Sequence, residues 1–407
     1  MTNPLQNKRI ILGVTGSIAA YKAADLASKL TQNGALVDVI LTEYAVRFIA
    51  PLTFQSVTGR KTYTESDLWG GEGHVTHVGL GHNADLVLIA PVSANTLMRL
   101  ANGSGDNLLC LTALASHCPL VLAPAMDVGM YSHPATQKNV EILKERGAWF
   151  IGPASGHLAS GLVGPGRFVE PLEIMNTVRW ILAKNGPLAG RKIVVTAGGT
   201  QEAIDPVRLI TNRSSGAQGY AVAQSAIDAG ADVTLITAPT SLQTPIGCTV
   251  IQVKNAAEMF AAVKSETKSA DGLIMAAAVS DFRPASISSQ KIKKSDTHLQ
   301  LDLEPTADIL LETAKERAIS GFPKFVVGFA AESQDLLANA KSKLERKKLD
   351  LIVANDINAP DSGFEVNTNR VTFLYPDGNH QDMPLMEKTQ VADKIIDQII
   401  QWMGNPE

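Results

Sequence analysis

Cysteine is scarce in this 407-residue chain: Cys110, Cys118 and Cys248 are the only three. Three thiols build no disulfide framework and their spacing supplies no metal-ligand cluster, so a reducing, cytoplasmic compartment is expected. Charge of one sign is also missing. Against 36 Lys and Arg stand 40 Asp and Glu, for a net charge of −4. No basic surplus advertises nucleic acid or an anionic membrane, and neither is expected as a partner. The opening stretch MTNPLQNKRIILGV lacks the basic segment and long apolar run of a secretory signal. The least polar window, residues 108–126, is interrupted by His117 and Pro119 and reads as a helix followed by a buried strand, not as a membrane span. What is plentiful is ordinary core material, with 45% apolar residues. At about 150 residues per domain, the length predicts two or three domains.

Short β-branched runs alternate with helix-length segments along the whole chain. In the first half the runs lie at 9–14, 35–41, 85–90, 120–123 and 149–151; in the second at 192–196, 232–236, 272–276, 324–329 and 351–354. Runs without internal polar alternation suit parallel strands buried on both faces. Residues 19–32, 216–229 and 336–347 carry helical spacing. The expected fold is α/β, with two doubly wound, mostly parallel-sheet, Rossmann-like domains. The halves open alike, RIILGVTGS leading to GALVDVILT and KIVVTAGGT leading to GADVTLITA. Gly16 and Gly34 are 18 positions apart, whereas Gly199 and Gly230 are 31 apart, so the second half inserts 13 residues after its first strand. The polar, Gly/Pro-containing stretch 184–190 marks the boundary, giving domains 1–187 and 188–407.

In the first half, GVTGSIAAYKAADLASKL puts Gly13, Gly16 and Ser17 at a helix N-terminus. Exposed backbone N–H groups and the helix dipole favour a phosphate there. Thr42 ends the second predicted strand, and PVSANTLMRLANGSGDN follows the third with Ser93, Asn95 and Thr96 as donors. The pattern is neither GxGxxG nor a Walker A loop, and each piece alone equally suits a plain polar helix cap. In the second half, TAGGTQEAIDPVRLITNRSSGAQG joins Gly199 and its neighbouring glycine to Asp205, Arg208 and Asn212. Such a loop offers N–H groups, an amide and a guanidinium to an anion. A nicotinamide-dinucleotide site is the competing reading, but the insertion breaks the short glycine connection and no acidic residue takes the ribose role. The lysine run at 341–348 by itself suits a solvated helix face.

Taken together, PVSANT at 91–96, PAMDVGMY at 124–131 and GHLASGLVGPGR at 156–167 resemble the motifs and substrate flap of the flavin-dependent cysteine decarboxylases, over roughly residues 5–180. The segment DPVRLITNRSSG at 205–216, with AAAVSDFRP, KIKK, VVGFAAES and KSKLERKKLDLIVAND further on, is similar to phosphopantothenate–cysteine ligases over roughly residues 188–403. The whole chain therefore resembles the bacterial bifunctional phosphopantothenoylcysteine decarboxylase/phosphopantothenate–cysteine ligases of coenzyme A biosynthesis. The resemblance implies a flavodoxin-like flavoprotein domain followed by a ligase domain. It implies FMN held at Gly16, Ser17, Thr42, Ser93, Asn95 and Thr96, with His77 as catalytic base and with Asp127 and Ser160 at the substrate.

For the ligase half the resemblance implies CTP with Mg2+, and an acyl-cytidylate that cysteine's amine attacks. Asn212 would contact that intermediate, with Arg208 on the same loop. Gly199, Ala276, Ala277, Asp281, Lys291, Asp308, Ile309, Phe329, Lys343 and Lys347 would bind the nucleotide, Asp281 also serving the metal. The implied partners are small molecules (4′-phosphopantothenate, cysteine and CTP) and further copies of the chain: trimers of flavin domains, dimers of ligase domains, a dodecamer when the two combine.

Four positions in three segments depart from the family pattern. The motif Asn that contacts the substrate carboxylate is Asp127, the flap's Cys is Ser160, and EPTADIL at 304–310 keeps Asp308 and Ile309 but replaces a Lys and an Asn by Pro305 and Thr306. A carboxylate facing a carboxylate is repelled unless protonated or bridged by an arginine, and a hydroxyl has no thiol redox chemistry. Two readings follow: complete reductive decarboxylation, or an active ligase joined to a flavin domain of altered or lost decarboxylase activity.

Overall fold

The computed structural model describes residues 3–69, 75–293, 299–332, 336–356 and 366–404. The chain divides into two compact units, Thr2–Leu182 and Ala183–Glu407. The division falls ahead of residue 187 because the following stretch is tied to the second unit: the N–H of Leu188 donates to the Ala229 carbonyl at 2.8 Å.

In the first unit the strands are β1 (Arg9–Val14), β2 (Leu36–Leu41), β3 (Thr62–Tyr63), β4 (Leu86–Val92), β5 (Leu120–Pro124), β6 (Trp149–Phe150), β7 (Ala154–His157) and β8 (Val163–Arg167). Six of them form one parallel sheet in the order β3-β2-β1-β4-β5-β6. Without the two-residue edge strand β3, this is the flavodoxin order, with its topological switch between β1 and β4. Helices α1 (Ala20–Gln32), α2 (Pro51–Thr58), α3 (Thr76–His82), α4 (Ala94–Asn102), α5 (Leu108–Ala115), α6 (Val128–Ser132), α7 (Pro134–Glu145) and α8 (Pro171–Ala183) complete the unit. Alternate residues of each strand feed two separate cores. Ile10, Leu12 and Val14 pack with Leu26, Leu30, Ile174 and Val178, while Ile11, Val87 and Ile89 pack with Leu97, Leu109 and Val140. That double burial is why these strands carry no polar alternation. The exception, Asp38 in β2, is 7% exposed and forms a two-pronged ion pair with Arg60 at 2.8 and 2.9 Å. Strands β7 and β8 form a separate antiparallel hairpin.

The second unit holds β9 (Lys192–Ala197), β10 (Gln201–Ala203), β11 (Leu209–Thr211), α9 (Ala217–Asp228), β12 (Asp232–Thr237), β13 (Thr249–Gln252), α10 (Ala256–Glu266), β14 (Gly272–Met275), β15 (Phe282–Pro284), β16 (Leu303–Pro305), α11 (Ile309–Ser320), β17 (Phe325–Glu332), α12 (Leu336–Lys347), β18 (Leu351–Asp356), β19 (Thr368–Asn369), β20 (Val371–Leu374), β21 (His380–Asp382), β22 (Met386–Glu387) and α13 (Lys388–Gly404). Its eight-stranded sheet runs β13-β12-β9-β14-β17-β18-β20-β21, the first six parallel and the last two antiparallel. The six parallel strands repeat the dinucleotide-fold order, with the switch between β9 and β14. The 13-residue insertion folds as an antiparallel arm, β10 against β11, between β9 and α9. Asp271 anchors the amino end of β14. Its carboxylate, 9% exposed, accepts the Lys192 N–H at 3.0 Å and the Lys324 ammonium at 2.8 Å. No helix among the described residues is long and apolar enough to cross a membrane.

Candidate active sites

In the first unit, the loops after β1 and β4 meet at the switch point. Thr15, 1% exposed, stitches them: its hydroxyl donates to the Pro91 carbonyl at 2.8 Å and accepts the Ser93 N–H at 2.9 Å. Gly16 lies against Tyr44, where a Cβ on the glycine would come within 2.5 Å of the tyrosine Cβ. Ser17 accepts the Ala19 N–H at 3.2 Å, and Thr42 is held to the Val14 carbonyl through its own N–H at 3.1 Å. Ser93 caps α4 by accepting the Thr96 N–H at 3.3 Å. Gly16, Ser17, Thr42 and Ser93 thus gather at the carboxyl ends of β1, β2 and β4, Thr96 is buried in the cap, and Asn95 is exposed. Helix α1 begins with no side chain capping it from Ala19 and no acidic residue in its first turn, which leaves its positive end to an anion.

His77, in the first turn of α3, has a buried Nδ1 with no hydrogen-bond partner. Buried nitrogens are rarely left so, and the ring fits a site that a ligand completes. Among the described residues, no hydrogen bond links His77 to Asp127 or Ser160.

Those two residues meet each other. Asp127 caps α6, its Oδ1 accepting the Gly129 N–H at 2.9 Å. The β7–β8 hairpin folds over the β5–α6 junction, with the Met126 N–H donating to the Gly166 carbonyl at 3.0 Å. Gly166, at φ 137°, passes so close that a Cβ would strike the Met126 carbonyl oxygen. At the hairpin tip the Ser160 hydroxyl donates to Asp127 Oδ2 at 2.6 Å. The Ser160 hydroxyl and then the Gly129 N–H hold the Asp127 carboxyl below its ordinary range. It is therefore an ionised acceptor, not the protonated carboxyl that would tolerate a substrate carboxylate, and among the described residues no arginine pairs with it. None of the cysteines lies on the hairpin: Cys110 is in α5, Cys118 precedes β5 and Cys248 belongs to the second unit, and burial pushes all three thiols up.

In the second unit, a cleft of about 670 Å³ is lined by residues of β14, β17 and β18 together with the loops that follow β11 and β14. Asn212, Ala276, Ala277 and Asp281 line one wall, and Asp308, Ile309, Phe329, Lys343 and Lys347 line the rest. The switch-point strands are stitched here as well: Ala277 N–H donates to the Thr196 hydroxyl at 3.1 Å and Ser280 N–H to the Thr200 hydroxyl at 2.9 Å. The Asn212 amide donates to the Val279 carbonyl at 3.1 Å and so pins the end of the arm over β14. Asp308 caps α11 and pairs with the Lys347 ammonium at 3.0 Å. Lys343 and Lys347, four residues apart, share one face of α12.

Three expected residues stand outside this lining. Gly199 runs beneath the arm, where a Cβ would meet the Asn212 carbonyl oxygen at 2.7 Å. Arg208 does not reach the cleft because its guanidinium is taken by Asp205 at 2.9 Å and by the Ile292 carbonyl at 3.1 Å. Lys291 is exposed beside that anchor. Asp205 is buried and also accepts the N–H groups of Val207 and Arg208, each at 2.8 Å, and of Ile292 at 3.1 Å. Burial works to raise its carboxyl, but those three N–H groups and the Arg208 charge hold it below the ordinary range. Among the described residues, no group of three or more His, Cys, Asp or Glu gathers to hold a metal ion, and Asp281 stands as a single exposed carboxylate. His74, Lys294 and Ser333, which belong to the motifs, lie outside the described residues.

Comparison with known proteins agrees with both halves. The family described as Flavoprotein matches residues 1–182, and the DNA/pantothenate metabolism flavoprotein C-terminal domain matches residues 188–403. The coenzyme A biosynthesis bifunctional protein CoaBC of Bacillus subtilis is 44% identical over 398 residues, covering 97% of each chain. The chain belongs to this bifunctional family. The Mycobacterium bovis relative of the same name is 43% identical over 409 residues, covering 98% of this chain and 97% of its own. A solved C-terminal domain of a CoaBC protein aligns at 36% identity and a TM-score of 0.46, covering 55% of this chain and all of that domain.

A flavoprotein decarboxylase domain and a ligase domain are thus joined in one enzyme of coenzyme A biosynthesis. The cleft also contains groups that reading the motifs missed: Gln218, Asn355, Asn369 and Lys388. Gln218 was within reach, two residues beyond the SSG turn. Asn355 lies in the matched LIVAND run without being singled out, and Asn369 and Lys388 stand in short polar stretches, NTNR and MEKTQ, with no spacing that marks them as parts of a site.

Proposed function

We propose that the second unit joins 4′-phosphopantothenate to cysteine with CTP, through an acyl-cytidylate, and that the first unit decarboxylates the product to 4′-phosphopantetheine with FMN. The observation that carries the reading is the single cleft that collects nine of the motif residues, from Asn212 to Lys347.

In the ligase cleft, Lys343 and Lys347 face the nucleotide's negative charge and Phe329 offers an apolar wall to its base. Asp281 supplies the carboxylate that a nucleotide-borne Mg2+ needs, since Mg2+ commonly takes one or two protein carboxylates and fills its remaining positions with water and phosphate. Asn212, held at the base of the arm, faces the activated acyl group. Asp205 and Arg208 hold the arm in place.

In the first unit the residues present fit FMN. The uncapped start of α1 with Gly16 and Ser17 suits its phosphate, Thr42, Ser93 and Asn95 flank the switch-point crevice, and the unpartnered His77 nitrogen awaits a ligand. When bound, FMN supplies the two-electron oxidation that turns the substrate thiol carbon into an electron sink for loss of CO₂. His77 holds or relays the thiol proton, and the Ser160 hairpin covers the substrate. Gly16→Val tests the binding site. The added side chain has no room against Tyr44, so the variant is expected to purify folded but without flavin, with affinity down by roughly a hundredfold or more. Flavin absorbance of the purified protein reads this, and parental flavin content would reject the site.

Mass analysis of products from 4′-phosphopantothenate, cysteine, CTP and Mg2+ tests both halves together. Phosphopantetheine with CMP and pyrophosphate is expected, and release of CDP and phosphate, or of no nucleotide product, would reject the ligase chemistry. The ionised Asp127–Ser160 pair favours a second reading, an active ligase with altered or lost decarboxylation. Accumulation of phosphopantothenoylcysteine without CO₂ would select it.

A further inference from the structure

The ligase cleft holds a cation and a carboxylate that stand on adjacent loops and do not pair. Arg213 directly follows Asn212, lines the cleft and is exposed. Among the described residues its guanidinium makes no hydrogen bond and no ion pair. Arg208, five residues earlier, is by contrast taken by Asp205, and Lys347 across the cleft is taken by Asp308. Asp281, exposed in the same lining, likewise has no ion pair among the described residues. The Asn212 amide reaches the Val279 and Ala278 carbonyls at 3.1 and 3.4 Å, so the loops that carry the two charges run side by side. Opposite charges that leave each other unpaired in one cleft are both available to a ligand.

The backbone that carries Arg213 is fixed, although its guanidinium is not. A Cβ on Gly199 would meet the Asn212 carbonyl oxygen at 2.7 Å, and a Cβ on Gly216 would come within 3.3 Å of the Gly198 nitrogen. The chain on both sides of Arg213 therefore rests on the glycine turn after β9. Beyond it, the Thr240 hydroxyl donates to the Ser215 carbonyl at 2.9 Å. A guanidinium on a fixed stem, with no carboxylate of its own chain competing for it, is preorganised for an anion. Its fork of N–H groups matches the two oxygens of a carboxylate. The residue beside it, Asn212, is the one that faces the acyl group in the ligation proposed above, which places the substrate's carboxyl end within the reach of Arg213.

We propose that Arg213 binds the carboxylate of 4′-phosphopantothenate and holds it for attack on CTP. The inference rests on the nucleotide-dependent ligation proposed above. In that step a carboxylate oxygen bonds to the α-phosphorus, the bond from that phosphorus to the bridging oxygen of the β-phosphate breaks, and pyrophosphate leaves with the electron pair; no proton moves. Both reactants are anions. The α12 lysines and Asp281 with its Mg2+ face the nucleotide, and Arg213 offsets the charge of the other reactant. A cation on a carboxylate steadies the bound substrate about as much as the transition state, so Arg213 acts chiefly on substrate binding.

Calorimetric titration of the full-length enzyme tests it by comparing 4′-phosphopantothenate with 4′-phosphopantothenol, whose primary alcohol replaces the carboxylate. The parent is expected to prefer the carboxylate at least about tenfold, the worth of one charge-assisted contact. In Arg213→Met the preference is expected to fall to within roughly twofold, with the affinity for the alcohol unchanged. Arg213→Lys keeps the charge without the fork and is expected to retain part of the preference. In turnover, Arg213→Met is expected to raise the KM for 4′-phosphopantothenate at least about tenfold, with kcat within roughly threefold and the KM for CTP within roughly twofold. Equal weakening of both ligands in Arg213→Met would put the guanidinium on the phosphate group and overturn the proposal. A parent without the preference, a preference unchanged in Arg213→Met, or a loss confined to CTP overturns it as well. If the parent releases no pyrophosphate from CTP in the presence of 4′-phosphopantothenate, the ligation reading has failed, and the calorimetric preference still decides whether Arg213 holds a carboxylate.

Discussion

Asp127→Asn is expected to lower the KM of the decarboxylase half for its carboxylate substrate by roughly tenfold, with no change in ligation. The substitution leaves the local structure standing. Asn caps a helix about as well as Asp, so its side-chain oxygen still takes the Gly129 N–H that now lies 2.9 Å from Asp127. Its amide group donates to the Ser160 oxygen across the contact now spanned by the serine's own donation at 2.6 Å. What changes is the sign of the group offered to the substrate. Where the family pattern has an amide, the parent has a carboxylate held ionised by Ser160 and Gly129. Because that carboxyl is depressed below its ordinary range, it stays charged throughout the neutral region, and the parent KM is expected to be flat between about pH 5 and 8. The repulsion is partly exposed and therefore screened by salt, so the parent KM falls with ionic strength while that of Asp127→Asn does not. Initial rates of CO₂ release at two salt concentrations check this. Equal KM values and equal salt slopes in the two proteins would show that Asp127 does not face the substrate carboxylate.

The Asp127–Ser160 contact also shows where reading the sequence stopped. Each residue is visible alone as a departure from a motif, yet the two are 33 positions apart, and only the hairpin's fold over the β5–α6 junction brings them together. The sheets were far more legible. Parallel strands buried on both faces are rich in apolar and β-branched residues, so β1, β4, β9, β12 and β14 announce themselves as runs without period-two alternation, and β2 does so despite Asp38. The pairs β15–β16 and β19–β22 did not, because two or three residues carry no period. Nor did β7 and β8, whose ASGH and VGPGR contain the residues that ordinarily mark turns. The insertion's length and place were readable from the displaced glycines, but not its folding as a β10–β11 arm. Most residues of the ligase cleft were legible because the motifs that carry them sit at strand ends, where a doubly wound sheet binds ligands. Arg208 was misplaced on the same logic: membership of the right loop does not say which way a side chain turns, and a buried carboxylate three residues earlier claims it.

That carboxylate fixes the outer turn of the arm, whose base is held separately by the Gln201 N–H donating to the Lys254 carbonyl at 2.8 Å and the Ala256 N–H donating to Glu202 at 2.8 Å. Asp205→Ala is expected to lower kcat for ligation by roughly a hundredfold or more, while the melting temperature of the second unit changes little. The substitution removes the common acceptor of the Val207 and Arg208 N–H groups at 2.8 Å, the Ile292 N–H at 3.1 Å and the Arg208 guanidinium at 2.9 Å. Buried donors left without a partner pull the surrounding loop toward water. The main sheet does not depend on the arm, since β10 and β11 pair only with each other in a sheet of their own. Asn212 does depend on it. It follows β11 directly, and its side-chain amide is anchored beyond β14 by the Val279 and Ala278 carbonyls at 3.1 and 3.4 Å. A displacement of about 1 Å at a group that orients a reacting acyl centre is enough for a hundredfold loss. The cleft lysines proposed to face the nucleotide, Lys343 and Lys347, stand on α12, outside the arm, so the KM for CTP is expected to move by less than roughly threefold, the split that separates misplacement of Asn212 from loss of the binding site. The sign of the pH dependence follows from the depressed carboxyl: Asp205 contributes its full share above the ordinary carboxylate range and loses it only as pH falls through its lowered folded value. The variant's deficit should therefore be constant from about pH 6 to 8, and Asp205→Asn, which still accepts N–H groups but no longer pairs with Arg208 as a charge, should fall between the two. Parental kcat in Asp205→Ala would mean that the arm does not position Asn212.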